Sequence, residues 1–472
     1  MSPVDTTKCF AVRRGEITGR ADVNFWRLTP VFRERFAKPN YAAVELGSLV
    51  ELVQYGCSAL ARPEPVGVPM LRMNNLQEDG WDLTDLKYIQ MDDEDLERYR
   101  LTPGDLLFNR TNSKELVGKC EVFREKGDWV FASYLIRVRL QTAKVLPQFA
   151  SDFLATNSGR LQIDRLSRQI IGMTNINAEE LRTILLPLPP LPKQREFVAA
   201  MDKARAARRS KLAESDSLLA EMDMIVLDAL GLARMFAQTA VFAVRRGDVA
   251  ERIDADFNSP KFRAIQAAIR AGRFPARALS EVCQPLVTGF AAGKQDQAFD
   301  LETGIPHLRP LNLNTHGEIS IADTKYVPIS SVDDADICQP SEVLFNNTNS
   351  TEMVGKSAVF ELAQACACSN HMTRIRLLPG GDPHYVAALF NALRSLGYFG
   401  LLSTNFNNQA GINTTTLNRV AIPFPPEAEQ KRVAAEVRRL RAKAALLRGD
   451  AAKNWQEAKA TFEGELLQRR KN

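Results

Sequence analysis

The sequence predicts an α+β protein in which two similar mixed α/β domains are separated by two long antiparallel α-helices, a coiled-coil-like spacer. Three observations support this prediction. Segments of the first half of the chain recur in the second half. A proline-rich hinge follows each repeated region, and a long proline-free stretch follows each hinge.

The internal repeat is the first of these observations. Residues 107–119 return almost unchanged as residues 344–356. Two shorter segments also return, 10–15 as 242–247 and 67–72 as 304–309. The offset, roughly half the chain, is far longer than the period of about 20–50 residues that is typical of solenoids. The repeat therefore indicates a duplicated whole unit, which predicts binding at two places.

Both halves contain the same kinds of element. In the first half, β-like runs such as residues 129–140 alternate with Gly, Pro and Asn turns, and the amphipathic stretch around 149–166 is typical of a helix. The second half repeats this pattern with a strand at 372–378 and a helix at 385–396. We therefore expect one globular α+β domain at residues 1–190 and another at 236–425.

A long helix is predicted after each globular domain. The hinges at 186–192 and 422–426 lead into proline-free stretches at 193–230 and 427–467. Proline fits a helix start but not a helix interior, which favours this interpretation. Gly231 stands where a glycine commonly follows a helix end. The predicted spacer helices thus occupy residues 191–235 and 426–472.

Each predicted long helix has one apolar seam. In the second helix, apolar residues from Val433 to Leu466 recur in alternating steps of three and four, a heptad-like pattern that requires a partner helix. The first helix has a similar seam with a polar break at Arg208 and Lys211. We predict that the two helices pack on each other, with the charges around 205–211 and 438–443 facing solvent.

Composition argues against several classes of protein. The N-terminus lacks a signal-peptide pattern, and no apolar run of about 18 residues is present. The 7 cysteines fit a reducing compartment. We therefore expect a cytoplasmic protein without membrane contact. The cysteines and the 4 histidines lack the paired spacing of a zinc site, so no metal is expected.

Bulk charge does not by itself predict a nucleic-acid partner. The formal net charge is +5, and the excess of basic residues lies almost wholly in residues 426–472. A typical nucleic-acid-binding domain is clearly basic. Binding to DNA would therefore depend on the local placement of basic and amide side chains.

The order of parts resembles the specificity subunits of type I restriction–modification systems. The likeness rests on residues 304–309 followed by Asn312, on the two Leu-Phe-Asn-x-Thr-Asn-Ser segments with their Val-Gly-Lys, and on a Pro-Pro-x-x-x-Gln pattern before each long helix. It covers essentially the whole chain. One departure is Asn347, which stands where the first copy has Arg110.

The resemblance implies a non-catalytic recognition subunit. Residues 1–190 and 236–425 would be target-recognition domains, each reading one half of a bipartite, asymmetric site in double-stranded DNA. The helices would set the gap between half-sites and dock two methyltransferase subunits, and restriction subunits with motor and nuclease activity would complete the complex. S-adenosylmethionine, ATP and Mg²⁺ would be bound by these partners, and this chain would bind no cofactor.

The candidate DNA-binding residues are of the types that read base edges or hold phosphates. Arginine pairs with guanine, and asparagine or glutamine with adenine. Residues of these types, with lysines, occur in the repeated segments and in the divergent loop around residues 289–297. The candidates are Arg72, Asn74, Asn75, Arg110, Asn112, Lys119, Lys294, Gln295, Arg309, Asn312, Asn314, Asn347, Asn349 and Lys356.

Alternatives to base reading stay open for several of these residues. Thr-Asn-Ser also forms turns in which the side chains bond their own backbone. Its close repetition favours a scaffold role or a phosphate contact, the latter for Lys119 and Lys356. Divergence is instead concentrated in residues 54–64 and 285–300, which hardly match. An asymmetric site requires such divergence, because identical halves would read the same element twice.

No catalytic site is predicted. Residues 350–357 end like a phosphate-binding loop but lack its first glycine. No Asn-Pro-Pro-Tyr-type methylation motif is present, and the acidic run at 92–95 predicts a solvated loop. Two other functions remain open, a coiled-coil scaffold that binds only protein and an unrecognised DNA-modifying enzyme.

Overall fold

A computed structural model of the chain describes residues 12, 15, 17, 20, 22–78, 80–170, 173–232, 241–249, 252–293, 304–406 and 409–467. The chain divides into two compact units. Unit 1 comprises Met1–Ser210 and Asp450–Asn472, and unit 2 comprises Lys211–Gly449. The division falls within both long helices, so each unit holds one globular domain together with part of each long helix.

Unit 1 contains short strands and helices in its globular part. The helices are α1 (Val23–Arg35), α2 (Asp93–Tyr99), α3 (Pro147–Leu154), α4 (Asn157–Leu166) and α5 (Ala178–Arg182), followed by the long helix α6 (Leu191–Ala229). The strands are β1 (Ala43–Glu45), β2 (Val50–Tyr55), β3 (Val68–Leu71), β4 (Lys87–Ile89), β5 (Leu106–Asn109), β6 (Thr111–Asn112), β7 (Cys120–Val122), β8 (Val130–Phe131), β9 (Leu135–Leu140), β10 (Arg168–Ile170), β11 (Met173–Asn175) and β12 (Leu185–Pro187).

The strands of unit 1 form four small sheets. Their orders are β2-β9-β5-β7, β4-β3-β8, β10-β11-β6 and β1-β12. Neighbouring strands pair antiparallel except β3 and β8, which are parallel. The largest core lies between the four-stranded sheet and helices α3 and α4, where Phe108, Ile136, Phe149 and Ile163 are fully buried. Both faces of these strands are buried, because the neighbouring residues Leu107 and Leu135 belong to a second core on the opposite face of the sheet.

Unit 2 repeats this inventory. Its strands are β13 (Ala276–Ala278), β14 (Val287–Thr288), β15 (Gly304–Leu308), β16 (Lys325–Pro328), β17 (Val343–Asn346), β18 (Thr348–Asn349), β19 (Ser357–Val359), β20 (Ala367–Cys368), β21 (Met372–Ile375), β22 (Thr404–Phe406), β23 (Gln409–Gly411) and β24 (Ala421–Pro423). Its helices are α7 (Pro260–Ala271), α8 (Leu279–Val282), α9 (Pro383–Ser395), α10 (Tyr398–Leu402) and α11 (Thr414–Asn418), followed by the long helix α12 (Glu427–Leu467).

The two units have the same sheet topology. The sheets of unit 2 have the orders β14-β21-β17-β19, β16-β15-β20, β22-β23-β18 and β13-β24, which match those of unit 1 strand for strand. Even the parallel pair recurs, between β15 and β20. The sequence repeat is therefore a repeat of topology. The predicted fold class, two similar mixed domains with a long-helix spacer, is confirmed.

Several predicted elements differ from the structure in detail. The stretch around 149–166 forms two helices, because α3 ends with Ala155 as its C-cap and the side-chain oxygen of Thr156 caps α4 by accepting from the Gly159 amide. The acidic run at 92–95 is a helix start rather than a loop, since Asp92 caps α2 and accepts from the Asp95 amide. Gly231 does follow the end of α6 and has a φ of 67°, the left-handed conformation that glycine adopts without strain.

The Pro-Pro-x-x-x-Gln pattern at the start of α6 has a structural reason. Gln194 is fully buried. Its Oε1 accepts a hydrogen bond from the Leu146 amide at 2.8 Å. Its Nε2 donates to the carbonyls of Lys144 and Pro189. One side chain thus joins the first turn of the long helix to the loop that precedes α3.

The same arrangement recurs at the start of α12. Gln430 is fully buried and accepts from the Asp382 amide at 2.9 Å. It donates to the carbonyls of Gly380 and Pro425. Buried amides need all of their hydrogen bonds satisfied, so this glutamine fixes where each long helix leaves its domain.

In each unit the long-helix segments pack through their apolar seams. In unit 1, Phe197 of α6 meets Phe462 of α12 with ring centroids 5.2 Å apart. Lys193 lies 3.5 Å from Glu465, while Arg205 lies over the ring of Trp455. Because α6 positions rise as α12 positions fall, the two segments run antiparallel. In unit 2, Leu219, Met222 and Val226 share a core with Val433, Val437 and Leu440.

One charge of the first helix departs from the predicted solvent-facing surface. Arg205 is buried, and its guanidinium pairs with Asp152 of α3 and with Asp202. A buried charge is tolerated where it is paired and hydrogen-bonded. Arg438, Arg439 and Lys443 on α12 are exposed, as predicted, whereas Arg441 in the same stretch is half-buried and burial lowers its pKa.

Candidate nucleic-acid interface

The turn that follows β3, and its counterpart after β15, is shaped by a buried asparagine. Asn75 Oδ1 accepts from the Arg72 amide at 3.0 Å, and Asn312 Oδ1 accepts from the Arg309 amide at 2.8 Å. The Nδ2 atoms donate to further groups of the same loops, to Asp82 and Asp85 in unit 1 and to Ser320 and Thr324 in unit 2. Both predicted base readers are thus fully used inside their domains.

The arginines of these turns are partnered unequally. Arg72 Nη2 lies 3.0 Å from the carboxylate of Asp85 and 2.9 Å from its carbonyl oxygen. Arg309 Nη2 lies 3.4 Å from the carbonyl oxygen of Asp323, and within the described part of unit 2 it has no carboxylate partner. Asn74, in the first turn, is exposed. Arg309 is therefore the more available of the two guanidinium groups.

The repeated Thr-Asn-Ser segments form the predicted turns. Asn112 Oδ1 accepts from the Ser113 amide at 2.8 Å, and Asn349 Oδ1 accepts from the Ser350 amide at 2.9 Å. Asn112 Nδ2 lies 3.4 Å from Met73 Sδ, which brings β6 next to the turn after β3. Both asparagines remain partly exposed. Their Oδ1 atoms serve the turn, while their Nδ2 groups stay close to the surface.

One departure between the repeated segments, Arg110 in place of Asn347, has different surroundings in the two units. The Arg110 guanidinium lies over the ring of Tyr55, 4.7 Å from its centroid. Asn347 is buried and donates to the Asn370 carbonyl at 3.2 Å and to the Thr373 hydroxyl at 3.0 Å. The same backbone position therefore presents a cation at the surface of unit 1 and supports a turn inside unit 2.

The two lysines of the Val-Gly-Lys segments also differ. Lys356 is buried, and its Nζ donates to the carbonyls of Pro310 and Leu313 at 2.7 and 2.6 Å. Burial lowers the pKa of Lys356. Lys119 is half-buried, and its ammonium has no hydrogen-bond partner among the residues that the structure describes. Of the two lysines, only Lys119 has an ammonium group that is free to contact a phosphate. The phosphate contact therefore stays a prediction for Lys119 and is not expected for Lys356.

The remaining candidates lie on or near the divergent loop and the turn after β15. Asn314 Nδ2 donates to Glu318 at 2.7 Å, and Asn314 Oδ1 accepts from two amides of the same loop. Lys294 and Gln295 lie outside the described residues.

Unit 2 also contains a cleft that sequence reasoning missed apart from one residue. Its volume is about 380 Å³. Six of the residues that line it define what we call the basic cleft: His307, Arg309, Lys325, Tyr326, Asn370 and His371. The available signal was a comparison of the repeats outside the matching segments. His307, Asn370 and His371 stand where the first copy has Met70, Ser133 and Tyr134.

The wall of the basic cleft is ordered by stacking. The rings of Phe290 and His307 have centroids 4.9 Å apart, and a His307 ring nitrogen lies 3.2 Å from the Phe290 carbonyl. Burial lowers the pKa of His307, so near neutral pH this ring is uncharged. The positive charge of the cleft therefore comes from Arg309 and Lys325.

Features of other functional classes are absent from the described residues. No group of three His, Cys, Asp or Glu side chains within them is arranged to hold a metal ion. None of the helices that the structure describes is both long and apolar enough to cross a membrane.

Comparison with known proteins gives one consistent family of relatives. The chain is 27% identical over 155 residues to the putative type I restriction enzyme MjaX specificity subunit of Methanocaldococcus jannaschii, covering 32% of this chain and 36% of that protein. It is 26% identical over 242 residues to the type I restriction enzyme EcoKI specificity subunit of Escherichia coli K12, covering 51% of each. The chain thus spans about half the length, or less, of these curated relatives. No protein-family model matches it.

Similarity to a solved structure extends over most of the chain. A structure described as the structural basis of complex assembly and conformational transition of the type I R-M system matches with a TM-score of 0.50 and 15% identity, covering 91% of this chain and 97% of that one. At this identity the match shows the fold alone.

Proposed function

Because the chain is a relative of the specificity subunits of type I restriction enzymes, we propose that it recognises DNA for a restriction–modification complex. In this proposal each unit reads one half of a bipartite, asymmetric sequence in double-stranded DNA. The chain itself performs no chemistry, and it works in the cytoplasm.

One observation carries the proposal. The same sheet topology is present twice in the chain, while equivalent positions carry different side chains, such as Ser133 and Tyr134 in unit 1 and Asn370 and His371 in unit 2. Arg110 beside Tyr55 in unit 1 contrasts with the basic cleft of unit 2. A shared framework with divergent surface groups suits an asymmetric target, because each unit then presents its own set of donors and acceptors to base edges.

Partners supply the catalysis in this proposal. Two methyltransferase subunits dock on the exposed faces of α6 and α12, where charged side chains such as Arg438 and Arg439 face solvent. Restriction subunits join the complex to cut DNA. S-adenosylmethionine is then bound by the methyltransferase subunits, and ATP and Mg²⁺ by the restriction subunits.

The test is reconstitution of the full chain with the methyltransferase subunits of its host. The complex is incubated with S-adenosylmethionine and a random-sequence DNA library, and modified bases are mapped by sequencing. We expect one bipartite, asymmetric methylated sequence. A complex that binds its partners but methylates without sequence preference would instead support a protein-only scaffold. Methylation or cleavage by the purified chain alone would show that it is an enzyme.

The spacer role has its own test. Insertion of one heptad into α6 with a matching heptad in α12 adds about 10 Å of helix, or about three base pairs of B-DNA. We expect the gap between the half-sites to lengthen while both half-sites stay the same. A changed half-site with an unchanged gap would exclude the helices as the spacer.

A further inference from the structure

We propose that the basic cleft of unit 2 is the surface with which this unit reads its half-site. In this proposal Asn370 and His371 are specificity-determining residues, and Lys325 and Arg309 hold the DNA backbone. The inference rests on the proposed DNA recognition and assigns it to residues, of which only Arg309 is marked by the repeated motifs.

The polar groups of the cleft suit a polyanion with hydrogen-bonding edges. No acidic side chain lines the cleft within the described part of unit 2. Lys325 and Asn370 are exposed and His371 is partly exposed, and none of the three side chains has a hydrogen-bond or ion-pair partner among the described residues. Their donors and acceptors are thus available to a ligand. Arg309, which has only a carbonyl partner at 3.4 Å, adds a second cation.

The backbone that presents Asn370 and His371 is fixed in the same way in both units. In unit 2 the Asn370 amide donates to the Phe290 carbonyl at 3.0 Å, and the His371 carbonyl accepts from the Asn347 amide at 3.0 Å. In unit 1 the Ser133 amide donates to Cys57 at 2.9 Å, and the Tyr134 carbonyl accepts from Arg110 at 3.0 Å. The turn between β8 and β9 therefore has the same support as the turn between β20 and β21.

In each copy, a glycine of the divergent segment packs against the strand that precedes this turn. Gly289 packs so closely on β20 that a Cβ atom would lie 2.0 Å from the Cys368 carbonyl oxygen. Gly56 packs in the same way, with a Cβ atom 2.3 Å from the Phe131 carbonyl oxygen. Contacts of this kind admit only glycine. Each divergent segment is thus held at one glycine beside the cleft position.

The two copies keep the same side chains in the buried framework and differ at the cleft. Buried framework side chains recur, as with Asn75 and Asn312 or Gln194 and Gln430. At the partly exposed turn, in contrast, the Ser133–Tyr134 pair is replaced by Asn370 and His371, and in the wall of the cleft the buried Met70 is replaced by the buried His307. Divergence at surface positions on a retained framework is what two readers of different sequences require.

The side chains at the turn of unit 2 and those next to the turn of unit 1 are expected to recognise different bases. The Asn370 amide can donate and accept in one plane, which suits the N6 and N7 edge of adenine. The His371 ring offers one donor and one acceptor when neutral. In unit 1, Arg110 next to Tyr134 offers a guanidinium, which suits the O6 and N7 edge of guanine. Lys325 has no planar edge and suits a phosphate.

The experiment exchanges the turn residues between the units. The double variant Asn370→Ser, His371→Tyr gives unit 2 the residues that unit 1 has, so the backbone is already known to accept them. In the reconstituted methyltransferase complex we expect the preference at one or two base pairs of one half-site to fall about tenfold or more. The other half-site and the gap stay unchanged. The reciprocal variant Ser133→Asn, Tyr134→His should change the other half-site.

Controls separate the possible failures. His384→Tyr makes a matched exchange in unit 2 outside the cleft and should leave the methylated sequence unchanged. Both half-sites unchanged in the Asn370→Ser, His371→Tyr complex, with sequence-specific methylation intact, would overturn the cleft assignment alone. A wild-type complex without sequence preference would overturn the proposed function itself.

A second variant keeps the assignment testable if the exchange prevents assembly. Lys325→Gln removes an exposed side chain without a partner in the described residues, so folding should be unaffected. Affinity of the complex for DNA should fall for all sequences alike, and the slope of log affinity against log salt should decrease by about one. An unchanged affinity and salt slope would exclude Lys325 from the interface and overturn the cleft as the DNA-binding surface.

Discussion

Unit 1 and unit 2 share a backbone plan and differ in the groups that they present. The asparagine of each Leu-Phe-Asn segment makes the same bond, Asn109 Nδ2 to the Leu116 carbonyl at 3.1 Å and Asn346 Nδ2 to the Met353 carbonyl at 3.0 Å. The next residue differs completely, since Arg110 lies at the surface and Asn347 is buried. Close repetition therefore marks framework, and departures beside it mark the groups that distinguish the units.

The same contrast extends to a buried ion cluster. In unit 1, Asp105 is buried against Arg137 and accepts from Arg139 Nε at 2.8 Å. In unit 2, Glu342 takes the equivalent place between two arginines, 3.0 Å from Arg376. The charge pattern is retained although the acid is longer by one methylene. Removal of one member would leave an uncompensated buried charge, and the exchange between the copies keeps an acid at this place.

The largest expected effect tests the shared framework. Gln194→Ala and Gln430→Ala each remove one acceptor and two donated bonds and leave buried backbone groups unsatisfied. We expect each to lower the free energy of unfolding by about 2–4 kcal/mol, measured by urea denaturation. Gln90→Ala, at an exposed glutamine, is the matched control and should change it by less than about 0.5 kcal/mol. A large loss in one unit only would contradict the equivalence of the two helix entrances.

The next largest effect on stability is expected at Gly56 and Gly289, where the divergent segments pack against the backbone of a neighbouring strand. Gly56→Ala and Gly289→Ala place a Cβ atom against backbone oxygen atoms that cannot move without disturbing β8 or β20. We expect each to cost about 1–3 kcal/mol of unfolding free energy. Gly449→Ala, where nothing lies within 4 Å, is the control and should cause no loss because alanine favours the helix. Unchanged stability in either variant would show that the close contact of this glycine with the neighbouring strand does not hold the divergent segment in place.

Lys119 and Lys356 occupy equivalent positions in the two copies, and substitutions at them should affect different properties, DNA binding for Lys119 and stability for Lys356. Lys356→Met removes two buried charge-assisted bonds and should destabilise unit 2 by about 1.5–3 kcal/mol. Lys119→Met should change stability by less than about 0.5 kcal/mol. In the assembled complex it should weaken DNA binding for all sequences and lower the salt slope by about one. The opposite result, a stable Lys356→Met and a destabilised Lys119→Met, would reverse the assignment of these positions.

A small effect on stability is expected at Arg110, where the first copy departs from Asn347 of the second. Arg110→Asn removes a surface stacking contact worth about 0.5–1 kcal/mol, but it should change the base preference of one half-site in the methylated sequence. Arg110→Lys keeps the charge without the planar donors and is the informative comparison, because lysine cannot make the paired contacts. Unchanged half-sites in both variants would remove Arg110 from the reading surface.

Much of the fold could be predicted because it depends on local patterns. The sequence predicts the second long helix from residue 427 to about 467, within a spacer at 426–472, and the helix lies at Glu427–Leu467, since a proline hinge and a heptad-like seam are visible in the sequence. The first proline-free stretch, 193–230 within a spacer at 191–235, corresponds to Leu191–Ala229, which begins two residues before that stretch because Pro192 fits in its first turn. The division of 149–166 into two helices was missed, since Thr156 reads equally as helix interior or cap.

Less of the candidate site could be predicted. Asn75, Asn312, Asn347 and Lys356 have the residue types of DNA contacts, but the structure uses their side chains inside the domains. Residue type states which bonds a side chain can form and not which partner it finds. Lys325 and the Asn370–His371 pair come from two separate parts of the chain, β16 and the turn before β21, and no short-range pattern connects them with Arg309.

The sequence alone determined that this protein is a duplicated unit with paired long helices, because periodicity, proline placement and repetition are properties of neighbouring residues. Tertiary structure decided which of two identical residue types faces inward, as with Lys119 and Lys356, and which distant side chains line one cleft. The physical reason is that burial and partner choice depend on the packing of strands far apart in the chain. A hydrogen bond satisfied inside the domain leaves the same side chain with nothing to offer DNA.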